Sequence, residues 1–402
     1  MTHSRRIWAL PALTLALVLG ACSTPEDLTT PVLEPQYGTA YTDSPVGVVT
    51  GPAGAVYNLY NYVSPADCIY YDDGYYDCYD HEDVGVLTRY DAAGGVVWER
   101  NVFNEYCYDE YYCNIYRAEA VFVDANNYTY VLVSDYYPDE PDGPGPDVNF
   151  TVHKYAPLGE EIGSYTLDYF SVHRPEVAYK LAVDAAGNMY VAAQGDSYEG
   201  NNYLAKYTST GSLVWGRSST IAPAYGTPTD IKVSSSGSIY VVGTKGFSRH
   251  TSTGDVTWSK TGNFSEVILS GSSLYTRYGT AVYKYDSKGT QLWKKTQAGL
   301  TSLALASMSG DSSGNVYLAG KYSASSTNRN AFTRKLNSSG TVLWTQTYGT
   351  SVYDDALDIS TINGSEIYTA GVTNGALSHP SRGGGDGYLR KTNSSGTRVW
   401  TR

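Results

Sequence analysis

The densest collection of chemically capable side chains lies between residues 62 and 113. Asp72, Asp73, Asp77, Asp80, Glu82 and Asp83 fall within twelve residues and are interleaved with Tyr. They offer the hard oxygens that Ca2+ prefers, but their spacing does not follow an EF-hand loop and no glycine-rich calcium repeat is present. Three readings follow: a cation site, a surface for a basic partner, or a solvated acidic face. Four cysteines, Cys68, Cys78, Cys107 and Cys113, share this stretch. In a chain exported by the leader described below, an even number predicts disulfides, with three possible pairings. Cys68–Cys78 and Cys107–Cys113 each close a short local loop. Free thiols or a four-cysteine zinc site fit these spacings less well.

Elsewhere the chemistry is sparse. Gly310-Asp311-Ser312-Ser313-Gly314 matches G-x-S-x-G. It stands between two β-type runs, where sibling segments read DAAGN or SSSGS, so a turn is expected and not a nucleophile elbow. The histidines beyond the leader, His81, His153, His173, His250 and His379, have no metal-ligand spacing. No phosphate-binding or dinucleotide fingerprint occurs, and no catalytic residue or resident cofactor is assigned.

The elements that must position these residues repeat. One anchor is a Tyr that follows a turn and an apolar residue: Tyr57, Tyr130, Tyr190, Tyr240, Tyr275, Tyr317 and Tyr368. A second is a Gly four residues before a Trp, ending in Trp98, Trp215, Trp258, Trp293, Trp344 and Trp400. A seventh copy starts at Gly159 and has Gly163 in the Trp slot, so its blade is expected to be less well packed unless Tyr165 fills the gap. Nine residues before each slot stands a basic residue: Arg89, Lys154, Lys206, Arg249, Lys284, Lys335 or Lys391. Each unit holds four short β-type runs split by Gly/Asn/Ser turns, and helical periodicity is absent outside the leader. The expected fold is all-β: a seven-bladed β-propeller of four-stranded antiparallel blades, with Tyr and Trp in the blade-to-blade packing. The basic set lies on third strands, away from the axis, with stems packed across blades.

VDAAGNMYVAA, GDSSGNVYLAG, NYLAKYTSTGSLVW and GDGYLRKTNSSGTRVW resemble the bacterial seven-bladed β-propeller repeat family over roughly residues 40–402. The resemblance implies the fold and carries no shared catalytic residues. The G-x-x-x-W signature also looks like the tryptophan-docking motif of quinone-type propellers and of outer-membrane assembly lipoproteins; those have eight blades, against seven here.

The N-terminus carries Arg5 and Arg6 and then an apolar run of thirteen residues, too short to span a bilayer. Leu19-Gly20-Ala21-Cys22 looks like a bacterial lipobox, which implies cleavage before Cys22 and its lipidation. An ordinary secretory signal with a chance cysteine is the alternative. The expected domains are 1–21, a lipoprotein signal peptide; 22–45, the lipidated Cys and flexible tether; and 46–402, the propeller. Tyr37-Gly38-Thr39 echoes Tyr348-Gly349-Thr350, which leaves open whether the tether helps to close the ring.

In an up-and-down blade, the short Gly turns share one face. Nearly all long insertions (62–83, 101–117, 136–147, 195–202, 323–330 and 374–387) map to the other face, where binding usually resides. Charge is also sectored: residues 61–147 hold nineteen acids against three Lys/Arg, and residues 200–402 hold ten against twenty. The basic half lacks the clustered stripe expected for nucleic acid. The function expected from sequence is a monomeric, membrane-anchored binding or scaffold module for an envelope protein or a glycan at the outer membrane or cell surface. The alternatives are a polysaccharide lyase-like or quinone-dependent propeller enzyme and an outer-membrane assembly lipoprotein.

Overall fold

A computed structural model describes residues 44–70, 76–107, 115–137, 147–167, 179–194, 202–219, 225–326, 328–377, 380 and 385–402. Cys22, Asp72, Asp73 and Cys113 therefore lie outside the described residues. For Cys68, Asp77, Cys78, Asp80, Glu82, Asp83 and Cys107 the backbone path is described.

Twenty-eight strands form seven four-stranded antiparallel sheets, each of four consecutive strands. This is a seven-bladed β-propeller. Blade 1 comprises Ser44–Thr50, Val56–Tyr70, Tyr76–Tyr90 and Val96–Cys107. Blades 2 to 7 span 115–166, 179–219, 228–261, 266–296, 304–348 and 354–401. The described residues contain one helical turn, Pro52–Gly54.

Why these residues form blades is visible in one row that crosses every sheet. The repeat Tyr on the second strand faces the basic residue on the third, which faces the Trp slot on the fourth, as in Tyr317–Lys335–Trp344. The seven cations sit 5.0–6.0 Å from the centroids of their Tyr rings, a cation–π geometry. Several heads end on backbone carbonyls of the next blade, such as Lys284 Nζ on Ser338 O at 2.8 Å and Lys391 Nζ on Ala92 O at 2.7 Å. These residues stitch blades together, and they lie on third strands as the repeat order requires.

A Trp closes six of the seven junctions. In five of these six the indole N–H donates to a carbonyl in the last turn of the following blade, as in Trp98 to Pro157 at 3.0 Å, Trp293 to Ser338 at 3.2 Å and Trp344 to Ser394 at 3.0 Å, whereas Trp400 Nε1 makes no such bond. The same turn presents its repeat glycine to the ring. That glycine is required twice over. Its φ is +80° to +88°, where a Cβ is strained, and a Cβ on Gly159 would lie 2.8 Å from Trp98. Blade 2 has no Trp, and Tyr165 takes its place: a Cβ on Gly211 would lie 2.6 Å from Tyr165 Cδ1. The gap that Gly163 suggests is therefore filled.

Blade 7 is complete within its own four strands, so the ring does not close by strand exchange. Ser44–Thr50 is the inner strand of blade 1, and Tyr37-Gly38-Thr39 lies outside the described residues. Closure rests on side chains: Trp400 lies over Gly94, Arg402 Nε donates to Gly94 O at 3.3 Å, and Val48 N donates to Asp358 Oδ2 at 2.7 Å.

Candidate functional site

Two features exceed what the ring needs. The first lies on the axis. Seven inner strands line a cavity of ≈ 600 Å³. Their apolar alternates, such as Val121, Ile231, Val267 and Ile359, are buried between blades. The row two residues before the position opposite each repeat Tyr faces the cavity. It is Gly47 and Ala120 in blades 1 and 2, then Lys180, Asp230, Glu266, Ser307 and Asp358 in blades 3 to 7. In blades 1, 2, 4, 6 and 7 a bulge directly precedes this residue, a local kink that re-aims a side chain.

The polar members join neighbouring blades. Asp230 Oδ2 accepts from Val267 N of blade 5 at 3.0 Å, and Glu266 Oε1 accepts from Met308 N of blade 6 at 2.9 Å. Arg277 Nε donates to Glu266 Oε2 at 2.7 Å, and its other nitrogens reach Leu305 O (3.1 Å) and Ala306 O. Lys232 Nζ meets Asp230 Oδ1 at 3.0 Å. Burial pushes Glu266 up to about 7 against the pull of Arg277, with Asp230 adding to the rise. Burial also raises Asp358, opposed by hydrogen bonds from Ser307 and Val48. Burial works against the charge on Lys232, yet Asp230, Glu266 and Asp358 hold it above its ordinary value. The channel wall thus sets opposed charges within hydrogen-bond distance, Lys232 against Asp230 and Arg277 against Glu266.

The second feature is an arm on blade 1. Its second and third strands are 15 residues each, against five to nine in other blades. The inner strand stops pairing at Asn61, but the hairpin ladder continues to Tyr70–Tyr76. At about 3.3 Å per residue this is roughly 25–30 Å of extra ribbon. Residues 62–83, expected as a loop, are therefore mostly strand; the blade's register is carried outward. Within the arm Cys68 stands opposite Cys78, Asp77 opposite Ile69, and Glu82 opposite Ser64. Asp83 stands opposite Glu105 on the fourth strand, and Cys107 opposite His81. The ladder thus brings two of the four cysteines into register and keeps Cys107 opposite a non-cysteine position.

The other sequence candidates fall into structural roles. Asp311 anchors a turn: its Oδ1 accepts from Ser313 N and Asn315 N, and its Oδ2 from Tyr317 Oη at 3.0 Å. Ser312 is therefore a turn residue, not a nucleophile. His250 is buried, bonded to Ser248 Oγ and Gly254 O, and burial lowers its pKa. Among the described residues no group of three or more His, Cys, Asp or Glu is arranged to hold a metal.

No protein family matches the chain, and no curated protein does. Among solved structures, a prolyl endopeptidase aligns over 90% of this chain and 48% of its own, with 11% identity and a TM-score of 0.51. The WD40 β-propeller domain of Doa1 aligns over 84% of this chain and 93% of its own, with 11% identity and a TM-score of 0.47. A protein of unknown function from Bacteroides caccae aligns over 65% and 89%, with 10% identity and a TM-score of 0.40. At these identities the likeness is one of fold.

Proposed function

We propose that this protein is an exported, lipid-anchored binding module that holds a protein with a basic surface at the bacterial cell envelope, through the arm of blade 1 and the long loops beside it. The observation that carries the reading is the arm: a paired ribbon far longer than any blade requires, in the sector with nineteen acids against three bases. Like charges opposite each other, as at Asp83 and Glu105, destabilise a ladder. A stretch that retains them is shaped by something other than stability. Dense Tyr supplies contact area at low entropic cost, and the acids supply steering toward a cationic surface. The lipobox-like Leu19-Gly20-Ala21-Cys22 supports the address, since multiple acyl chains anchor stably. The register supports a Cys68–Cys78 disulfide that staples the arm, formed when two thiols pass two electrons and two protons to an exported thiol oxidant.

The test uses three full-length baits in native membranes: wild type, Cys22→Ser, and a variant with residues 65–83 replaced by a short Gly/Ser turn. Wild type is expected to sediment with membranes and capture a basic protein. Cys22→Ser is expected in the soluble fraction, and the arm variant is expected to stay anchored and lose the partner. Capture of the same protein by wild type and arm variant would remove the arm from the site. Capture of a glycan alone would replace the ligand class. A peptide map without reduction is expected to show residues 68 and 78 linked.

A further inference from the structure

Ser307 lies between two carboxyl groups in the channel. Its Oγ is 3.1 Å from Glu266 Oε1 and 2.7 Å from Asp358 Oδ1. A serine hydroxyl has one proton to donate. With both carboxyls ionised, one of these contacts would set lone pair against lone pair, a costly arrangement at hydrogen-bond distance. With one carboxyl protonated, both contacts become hydrogen bonds: the acid donates to Ser307, and Ser307 donates to the carboxylate.

The remaining partners indicate which group stays ionised. Glu266 receives Arg277 Nε at 2.7 Å and Met308 N at 2.9 Å. Asp358 receives Val48 N at 2.7 Å, and among the described residues no cation lies within ion-pair distance of it. We propose that Asp358, Ser307 and Glu266 form a proton-binding site on the channel wall, with one proton resting on Asp358 Oδ1 at neutral pH and Ser307 donating in turn to an ionised Glu266. The site joins blades 5, 6 and 7, and through Val48 it reaches blade 1, so the proton belongs to the closure of the ring.

The charged surroundings come from every side of the channel. Blade 4 presents Asp230 and Lys232, and blade 5 presents Arg277. Glu119 and Lys180 stand further round, and the blade 1 lining, Val46 to Thr50, carries no titratable group. Burial raises both carboxyls above the ordinary values of 4.5 and 3.8. The sign follows from linkage: the folded chain holds a proton that the unfolded chain releases above those values. The stabilisation is therefore full below the ordinary carboxyl range and is lost as pH rises through the raised value of Asp358. Other carboxylates also titrate, so the informative quantity is the difference between wild type and a variant.

Asp358→Asn gives a directional test. The amide NH2 can donate to Ser307 permanently, and the amide oxygen can still accept from Val48 N. The Tm of this variant at about pH 8 is expected to equal or exceed that of wild type, with its advantage shrinking toward about pH 5. If the variant loses the same Tm at both pH values, Asp358 is an ionised acceptor and the proposal falls. The wild-type protein supplies a check that does not depend on the variant folding. With 13C-labelled Asp and Glu carboxyls, NMR should show one buried carboxyl titrating near neutral pH. Titration of every carboxyl in the ordinary range would overturn the assignment.

Discussion

Trp98→Ala is expected to lower the stability of the ring by about 3–5 kcal/mol, the range for cutting a buried Trp to Ala. Trp98 is 8% exposed and packs 5.9 Å from the Tyr57 ring. Its indole donates to Pro157 O at 3.0 Å, and Arg100 lies 5.9 Å from its ring centroid while donating to Gly159 O at 2.8 Å. Removal leaves a cavity at a junction, Pro157 O with Arg89 as its remaining donor and an Arg without its platform. Gly159→Ala tests the other half of the dock. Its Cβ would enter a backbone at φ +86° and press on Trp98 from 2.8 Å, so this single methyl should also destabilise. The double variant should cost less than the sum of the singles, because the new Cβ then meets the space the indole left. Urea unfolding of the four proteins measures the cycle. A loss of under about 1 kcal/mol for Trp98→Ala would place the junction's stability elsewhere, since ordinary surface changes stay within that range.

The dock was legible in the sequence because all seven junctions face the same geometric problem. A wedge-shaped blade must fill its outer end with something large and give the next turn room to receive it. The answer recurs as Gly-x-x-x-Trp with a basic residue nine before the Trp. Blade 2 shows the limit of that logic: Gly163 breaks the pattern, and Tyr165 repairs it from two residues away. The channel was not legible because its residues answer different questions in each blade. Gly47, Ala120, Lys180, Asp230, Glu266, Ser307 and Asp358 share a position and no chemistry. A signal did exist. Each lies ten residues before the repeat Tyr, or nine in blade 5, so a column count from Tyr57, Tyr130 and their counterparts would have aligned them. The arm was misread for a compositional reason. Asp, Gly and Pro favour loops, yet pairing propagates outward from the fixed register of Asn61 and Gly85, and the cross-strand ladder prevails over local preference.

Deleting residues 397–402 is expected to abolish cooperative folding of the ring, a larger effect than any single dock. Many rings close by lending a strand from one chain end to the other end's blade, so that the weakest junction gains a full backbone ladder. Here blade 7 keeps its own fourth strand, Arg398–Thr401, and junction 7–1 has side chains alone. The deletion removes Trp400 from Gly94, Arg402 from Gly94 O, and the paired backbone bonds between Leu389 and Arg402. It also uncovers Tyr368, which packs 5.9 Å from Trp400. What remains at the junction includes Asp358 on Val48 N, Ser360 on Thr50, and Lys391 on Ala92 O. The lost dock and ladder together approach the roughly 5–15 kcal/mol that holds a typical domain folded. Opening at one junction also exposes two blade faces at once, including Val48 and Val56 on one side and Ala370 and Leu389 on the other. Calorimetry should show no sharp transition, and limited proteolysis should cut throughout blades 1 and 7. If the shortened chain instead melted within about 2 °C of the intact one, a shift worth no more than about 1 kcal/mol, the seventh junction would be dispensable. Closure would then have to reside in the buried contacts around Asp358 and Ser360.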